Sequence, residues 1–302
     1  MMRSDWEHLS DEAKVAHCRE IEAQVDRAAF SQIVTSPGGG TAVFVVEGEE
    51  FVYVPADDAT IGYDPAAPIP QGFLDLITHE WCDIMGQSDV LAELSRSMSP
   101  RREGHCREML VERYMAEAWW EAGGLGLPVT PGCTVPLQDG GSDFDQVRRV
   151  VDTLRPLGWD ILTEDEWEYL AEGTYPTILT PDLMALLEKD PTAVRSNSIC
   201  GDAVRGAQWR PCPGGQLDVG GHWSKLNTLN SFGLWLNQGG PNELVNAECL
   251  MRSGDSAAAS CGGYDGFDAL VASPHYRYAP PQSPYYVPME YFCLRRVIPI
   301  TA

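Results

Sequence analysis

The sequence lacks any uncharged apolar run approaching about 18 residues, so it encodes no membrane-spanning helix. Its start, Met1 to Glu7, turns acidic where a signal peptide would turn apolar. Neither classical secretion nor membrane insertion is therefore encoded, and synthesis in a cytoplasm is expected, with any association with a virion or a cell surface reached without a signal peptide. Positive charge is scarce too: 21 Lys and Arg stand against 44 Asp and Glu, a formal charge of -23. Such a surface repels phosphate backbones and anionic lipid, which excludes nucleic acid as the expected partner.

The nine cysteines include no C-x-x-C pair, so neither a zinc signature nor a disulfide framework is written. Their scatter among apolar neighbours reads as small buried hydrophobes in a reducing compartment. The six histidines, His8, His17, His79, His105, His222 and His275, form neither H-x-x-x-H nor H-E-x-x-H, the tight spacings that place ligands together on a helix. No G-x-S-x-G elbow is present. The glycine-rich segments Ser36 to Gly40 and Cys212 to Gly221 lack the Walker lysine and read as turns.

What is present is a chain of 302 residues with 44% hydrophobic content, enough to bury a large core. Apolar positions Ala13, Ala16, Ile21, Val25, Ala28 and Phe30 predict an amphipathic helix over Ser10 to Val34, started by Ser10-Asp11-Glu12. Residues 1–36 are accordingly expected to form an N-terminal helical extension, and residues 37–302 the main domain. Thr41 to Val46 and Glu50 to Val54, around Glu47-Gly48-Glu49, predict a β-hairpin. Pro65 to Pro70 predicts a proline-rich loop. Helical spacing predicts Phe73 to Met85, and Cys106 to Ala122 with a core-facing stripe of Met109, Tyr114, Met115, Trp119 and Trp120. A further helix is predicted over Asp143 to Leu154, started by Ser142 and stopped by Pro156-Leu157-Gly158. From Cys200 onward Gly, Pro, Asn and Ser predict long loops over short strands.

Thr163-Glu164-Asp165-Glu166-Trp167-Glu168-Tyr169 has its own physical content. Thr163 can cap a helix with Glu166 as capping-box partner, and Trp167, Leu170 and Ala171 share one face. The run from Leu162 to Gly173 resembles the R-L-P-T-E-x-E-W-E-Y-A-A-R-G segment of the formylglycine-generating-enzyme, or sulfatase-modifying-factor, family. Downstream, Asn230-Ser231-Phe232-Gly233-Leu234-Trp235 resembles that family's N-A-F-G-L-Y, with Gly239 and Glu243 at the spacing of its G-N-V-W-E. Looser matches are Phe51 to Pro55 with Ile61-Gly62, Leu250 to Ser256, and Tyr291 to Arg295. The resemblance covers roughly residues 41–298 and implies an α+β fold of C-type-lectin-like form, loop-rich with short antiparallel sheets.

The family's oxidases hold copper with two cysteines, seventh and twelfth from the Arg of their R-G-G-S motif; a soft thiolate pair suits Cu(I). Counted from Arg252 those positions are Ala258 and Gly263, with Cys261 between them. Copper or iron therefore enters only under the alternative of an oxidoreductase whose site has moved. The resemblance also implies calcium, with Glu243 as one acidic ligand, since calcium takes hard oxygen donors.

The window Arg252 to Pro288 is unusual in composition. Lys, Gln, Glu, Met and Trp together make 53 of 302 residues, so about six or seven are expected in such a stretch. Only Gln282 occurs. The remainder is Tyr among small residues, a paratope composition in which tyrosine offers contact area at low entropy cost while Ser and Gly let the backbone adapt. Asp255, Ser256, Ser260, Tyr264, Asp265, Phe267, Asp268, His275, Tyr276, Arg277, Tyr278, Gln282, Tyr285 and Tyr286 are the candidate ligand contacts. The excluded residue types resemble those of variable proteins diversified by retroelements, whose adenine-directed mutagenesis of AAY codons never yields Lys, Gln, Glu, Met or Trp. The expected function is non-catalytic binding of a protein or glycan on a target surface. A structural part of a larger assembly, docked through the Ser10 to Val34 helix, is the third alternative.

Overall fold

The computed structural model describes residues 1–36, 39–78, 89–92, 98–113, 116–117, 119–121, 124–130, 133–136, 143–171, 173–178, 217–219, 222–224, 231–234, 242–246, 260–261, 275, 277–278 and 292–301. Two helices come first, α1 (Arg3–His8) and α2 (Asp11–Gln24), the second capped by the Ser10 hydroxyl, which accepts from the Ala13 amide at 3.3 Å. Strands β1 (Ala28–Ser36), β2 (Gly39–Val46) and β3 (Glu49–Val54) form an antiparallel meander. Glu47 and Gly48 both have positive φ, 53° and 88°, the two-residue hairpin turn whose twist matches that of the strands it joins.

Next come β4 (Asp57–Ile61), α3 (Gln71–Thr78), β5 (Arg102–Cys106), which pairs back on β4, and β6 (Met109–Glu112), which joins β3. A three-stranded sheet uses β8 (Trp119–Glu121), β9 (Gly124–Thr130) and β10 (Cys133–Pro136), just after the short β7 (Ala116–Glu117). Helices α4 (Asp143–Leu154) and α5 (Glu164–Leu170) precede a run of short strands: β11 (Leu217–Val219), β12 (His222–Ser224), β13 (Asn242–Leu244), β14 (Ser260–Cys261), β15 (Arg277–Tyr278), β16 (Phe292–Leu294) and β17 (Val297–Pro299). The result is mixed helix and sheet with short, mainly antiparallel sheets, an α+β architecture.

The first five-stranded sheet, ordered β1-β2-β3-β6-β17, is buried on both faces. Period-two alternation sends Ala42, Phe44, Val46, Phe51, Tyr53, Leu110 and Ile298 to one side, where Trp6, Cys18, Ile21, Val150, Leu154 and Trp159 cover them. Val43, Val52, Val54, Met109, Val111 and Val297 go to the other, under Leu162, Trp167, Leu170, Phe232 and Leu234. Register fixes this sorting, because a slip of one residue would exchange the two faces. In the centre, Val52 faces Val111 and Val111 faces Val297.

Two predicted helices are corrected. The leading helix stops at Gln24, and Ala28 to Ser36 is the edge strand β1, with Ser36 opposite Gly39. Residues 1–36 thus share their core with the segment that follows, and Cys18 and Ile21 of α2 are spent in it. Within the predicted Cys106 to Ala122 helix the described elements are instead the end of β5 and β6, β7 and β8, while Tyr114 and Met115 lie outside the described residues. Met109-Leu110-Val111 feeds both cores in turn, and a strand buried on both faces shows no alternation that separates it from a buried helix. The hairpin and α4 fall where predicted, with a 3-10 turn at Arg155–Leu157 before Gly158. Phe73 lies in α3, whose described part ends at Thr78.

Candidate binding surface

Helix α5 is built by its capping box. Thr163 Oγ1 accepts from the Glu166 amide at 3.2 Å, and Glu166 Oε2 accepts from the Thr163 amide at 2.8 Å. Acidic residues Glu164, Asp165 and Glu166 in its first turn suit the positive end of the helix dipole. The helix is seven residues long yet buries Glu164, Glu166 and Glu168 beside Trp167 and Leu170. Carboxylates so placed require cations, since an unpaired buried charge is heavily penalised.

Arg102 and Arg107, on and just after β5, supply them. Arg102 Nη2 lies 2.6 Å from Asp165 and Nη1 lies 3.0 Å from Glu168 Oε2. Arg107 Nε lies 2.7 Å from Glu166, and its Nη1 donates to Asp160 at 2.7 Å. Burial works against both guanidinium charges, but Glu168, Asp165 and Glu164 around Arg102, and Glu166 and Asp160 around Arg107, outweigh it and hold both above their ordinary pKa. The dense carboxylates of residues 160–168 were the sequence signal for such cations; their sources, 53 and more residues earlier, were not legible.

His275 joins this network from the C-terminal window. Its Nδ1 is 2.6 Å from Glu168 Oε1, and its Nε2 faces the Tyr175 and Thr177 carbonyls at 3.0 and 3.1 Å. Both ring nitrogens thus face oxygen atoms of the scaffold. The His275 carbonyl accepts from the Ser99 amide at 2.8 Å. At 1% exposure His275 is an interior anchor of the segment in which it was read as a ligand contact.

The second five-stranded sheet runs β15-β14-β13-β16-β7. Ser260 pairs with Tyr278 and Cys261 with Arg277, while Glu243 stands between Cys261 and Cys293. Three predicted contacts, Ser260, Arg277 and Tyr278, are thereby brought onto adjacent strands. Asp255, Ser256, Tyr264, Asp265, Phe267, Asp268, Tyr276, Gln282, Tyr285 and Tyr286 lie outside the described residues, as do Ala258 and Gly263. Cys261 and Cys293 are two strands apart, roughly 10 Å by strand spacing, beyond disulfide reach. Among the described residues no three His, Cys, Asp or Glu side chains are grouped to hold a metal ion, and no helix is long and apolar enough to cross a membrane. Cys18 and Cys106 are buried free thiols.

The two sequence motifs meet. The ring of Tyr169 packs on that of Phe232, centroids 5.1 Å apart, and the Asn246 amide donates to the Leu162 carbonyl at 2.8 Å. Gly233 has φ 77°, and a Cβ there would stand 2.6 Å from Thr41 Cγ2, so both the left-handed backbone and the close approach require glycine. Compared with protein-family models and with curated proteins, the sequence matches none.

Proposed function

We propose that this chain is a non-catalytic binding protein that presents the Tyr-rich segment 252–288 to a protein or glycan ligand from a C-type-lectin-like scaffold of the formylglycine-generating-enzyme type. The observation that carries the reading is the anchoring of that segment at several points. His275 is tied to Glu168 of α5, and β14 and β15 pair side by side in the second sheet. Residues 262–274, with Tyr264, Asp265, Phe267 and Asp268, join β14 to that buried histidine. Adaptable recognition residues on a rigid frame are the usual arrangement of binding loops.

Scaffold likeness is supported by what the motif residues do. Thr163 and Glu166 cap, Trp167 and Leu170 pack, Tyr169 meets Phe232, and Gly233 permits a close approach to Thr41. None of this is catalysis. The resembled oxidases need a cysteine pair where this chain has Ala258 and Gly263.

The test is a screen of the purified chain on arrays of glycans and of cell-surface ectodomains, followed by Tyr264→Ala and Tyr285→Ala on the best ligand. Aromatic anchors in a paratope cost about 2 kcal/mol or more when truncated, so each variant should bind at least tenfold more weakly with its melting temperature unchanged. Copper- and oxygen-dependent turnover of a cysteine-containing peptide, abolished by Cys261→Ser or Cys293→Ser, would overturn the proposal in favour of a displaced oxidoreductase site.

A further inference from the structure

A pocket of about 280 Å³ opens between α1, α2 and the first sheet, lined among others by Arg3, Trp6, Glu7, Lys14, Tyr53 and Phe232. That volume is at the low end of small-molecule sites. Lys14 is one of three lysines in the chain and the only one among the described residues. It is 7% exposed. Among the described residues its ammonium has neither a hydrogen-bond partner nor a carboxylate within ion-pair distance. Among the described residues it lies over the face of Trp6, 5.4 Å from Nζ to the ring centroid.

The surrounding groups do not neutralise it. Glu7 is the one acidic residue among the described residues of the lining, and it is bound by Arg3, whose Nε donates to it at 2.7 Å. Arg3 also donates through Nη1 to the Tyr169 hydroxyl at 2.9 Å and lies over the Phe232 ring at 4.5 Å. Trp6 is held in place by donation from Nε1 to the Gly40 carbonyl at 3.1 Å. The pocket therefore gathers two cations and one carboxylate, on a protein whose formal charge is -23. The Lys14 side chain is largely buried, and its ammonium, set on the pocket wall beside Trp6, offers a charge that aromatic contact satisfies only in part.

We infer that this pocket binds a small organic oxyanion, a carboxylate or phosphate ester with a flat apolar body, whose charge completes the Lys14 ammonium and whose body lies against Trp6 and Phe232. None of the described residues that line the pocket belongs to segment 252–288. Benzoate and phenyl phosphate serve as probes and neutral benzamide as the control, titrated calorimetrically into the full chain. One equivalent of at least one anion should bind, and benzamide at least tenfold more weakly. Lys14→Met and Lys14→Gln should each weaken anion binding tenfold or more, and Lys189→Met should leave it unchanged. Failure of both anions to bind, equal binding of benzamide, or binding untouched by both Lys14 substitutions each overturns the inference.

Discussion

Glu168 Oε1 and His275 Nδ1 stand 2.6 Å apart in the interior, although 107 residues separate them in the chain. The contact ties a helix of the scaffold to the segment proposed to bind ligand, and Arg102 holds the other Glu168 oxygen at 3.0 Å. Leaving a buried polar group short of a hydrogen-bond partner costs about 1 to 3 kcal/mol. His275→Ala should fall at the low end, since Arg102 still accompanies Glu168. Urea denaturation of His275→Ala, Glu168→Gln and the double variant should reveal a coupling above about 1 kcal/mol. Strict additivity would show that the pair contributes nothing as a pair.

The capping box at Thr163 and Glu166 makes separable contributions. Thr163→Ala removes one cap and should cost about 1 kcal/mol. Glu166→Ala also strands Arg107 beside Asp160, so it should cost about 3 kcal/mol or more. If denaturant midpoints rank the two variants the other way, the assignment of Arg107 to Glu166 is wrong.

Gly233→Ala tests the junction between the motifs. A methyl at φ 77° beside Thr41 adds strain and a clash, and such sites typically cost about 1 to 3 kcal/mol. Gly233→Ala combined with Thr41→Ser should recover part of the loss, because the methyl it would meet is gone; the melting temperatures of the two variants decide.

Alkaline pH should destabilise the protein. Burial pushes the Cys18 thiol up to about 12 and Cys106 well above its ordinary value. The hydroxyls of Tyr53 and Tyr169 are raised too, by burial first and then by Glu108 and Asp57. These groups keep their protons when folded at a pH where the unfolded chain begins to lose them. The unfolded state then binds fewer protons, so stability is complete below about pH 9 and declines as pH rises beyond it. A urea midpoint that does not drop between pH 8 and pH 10.5 contradicts this. At pH 8, peptide mapping after brief iodoacetamide treatment should find Cys18 and Cys106 unalkylated in the native protein.

Local chemistry was legible in the sequence by itself. The Thr163 and Glu166 cap, the Glu47-Gly48 turn and the stop of α4 near Gly158 each depend on residues within a few positions of one another, so the letters carry the signal. Tertiary structure alone decided three other matters. Met109 to Val111 became a central strand because two cores compete for alternate side chains, which erases the periodicity that identifies strands. Ala28 to Ser36 left the helical pattern of its neighbours because β2 offered eight paired positions. His275 is an interior anchor because Glu168, Tyr175 and Thr177, about 100 residues away, close around it. Burial and long-range pairing are properties of the assembled fold, and no local pattern announces them.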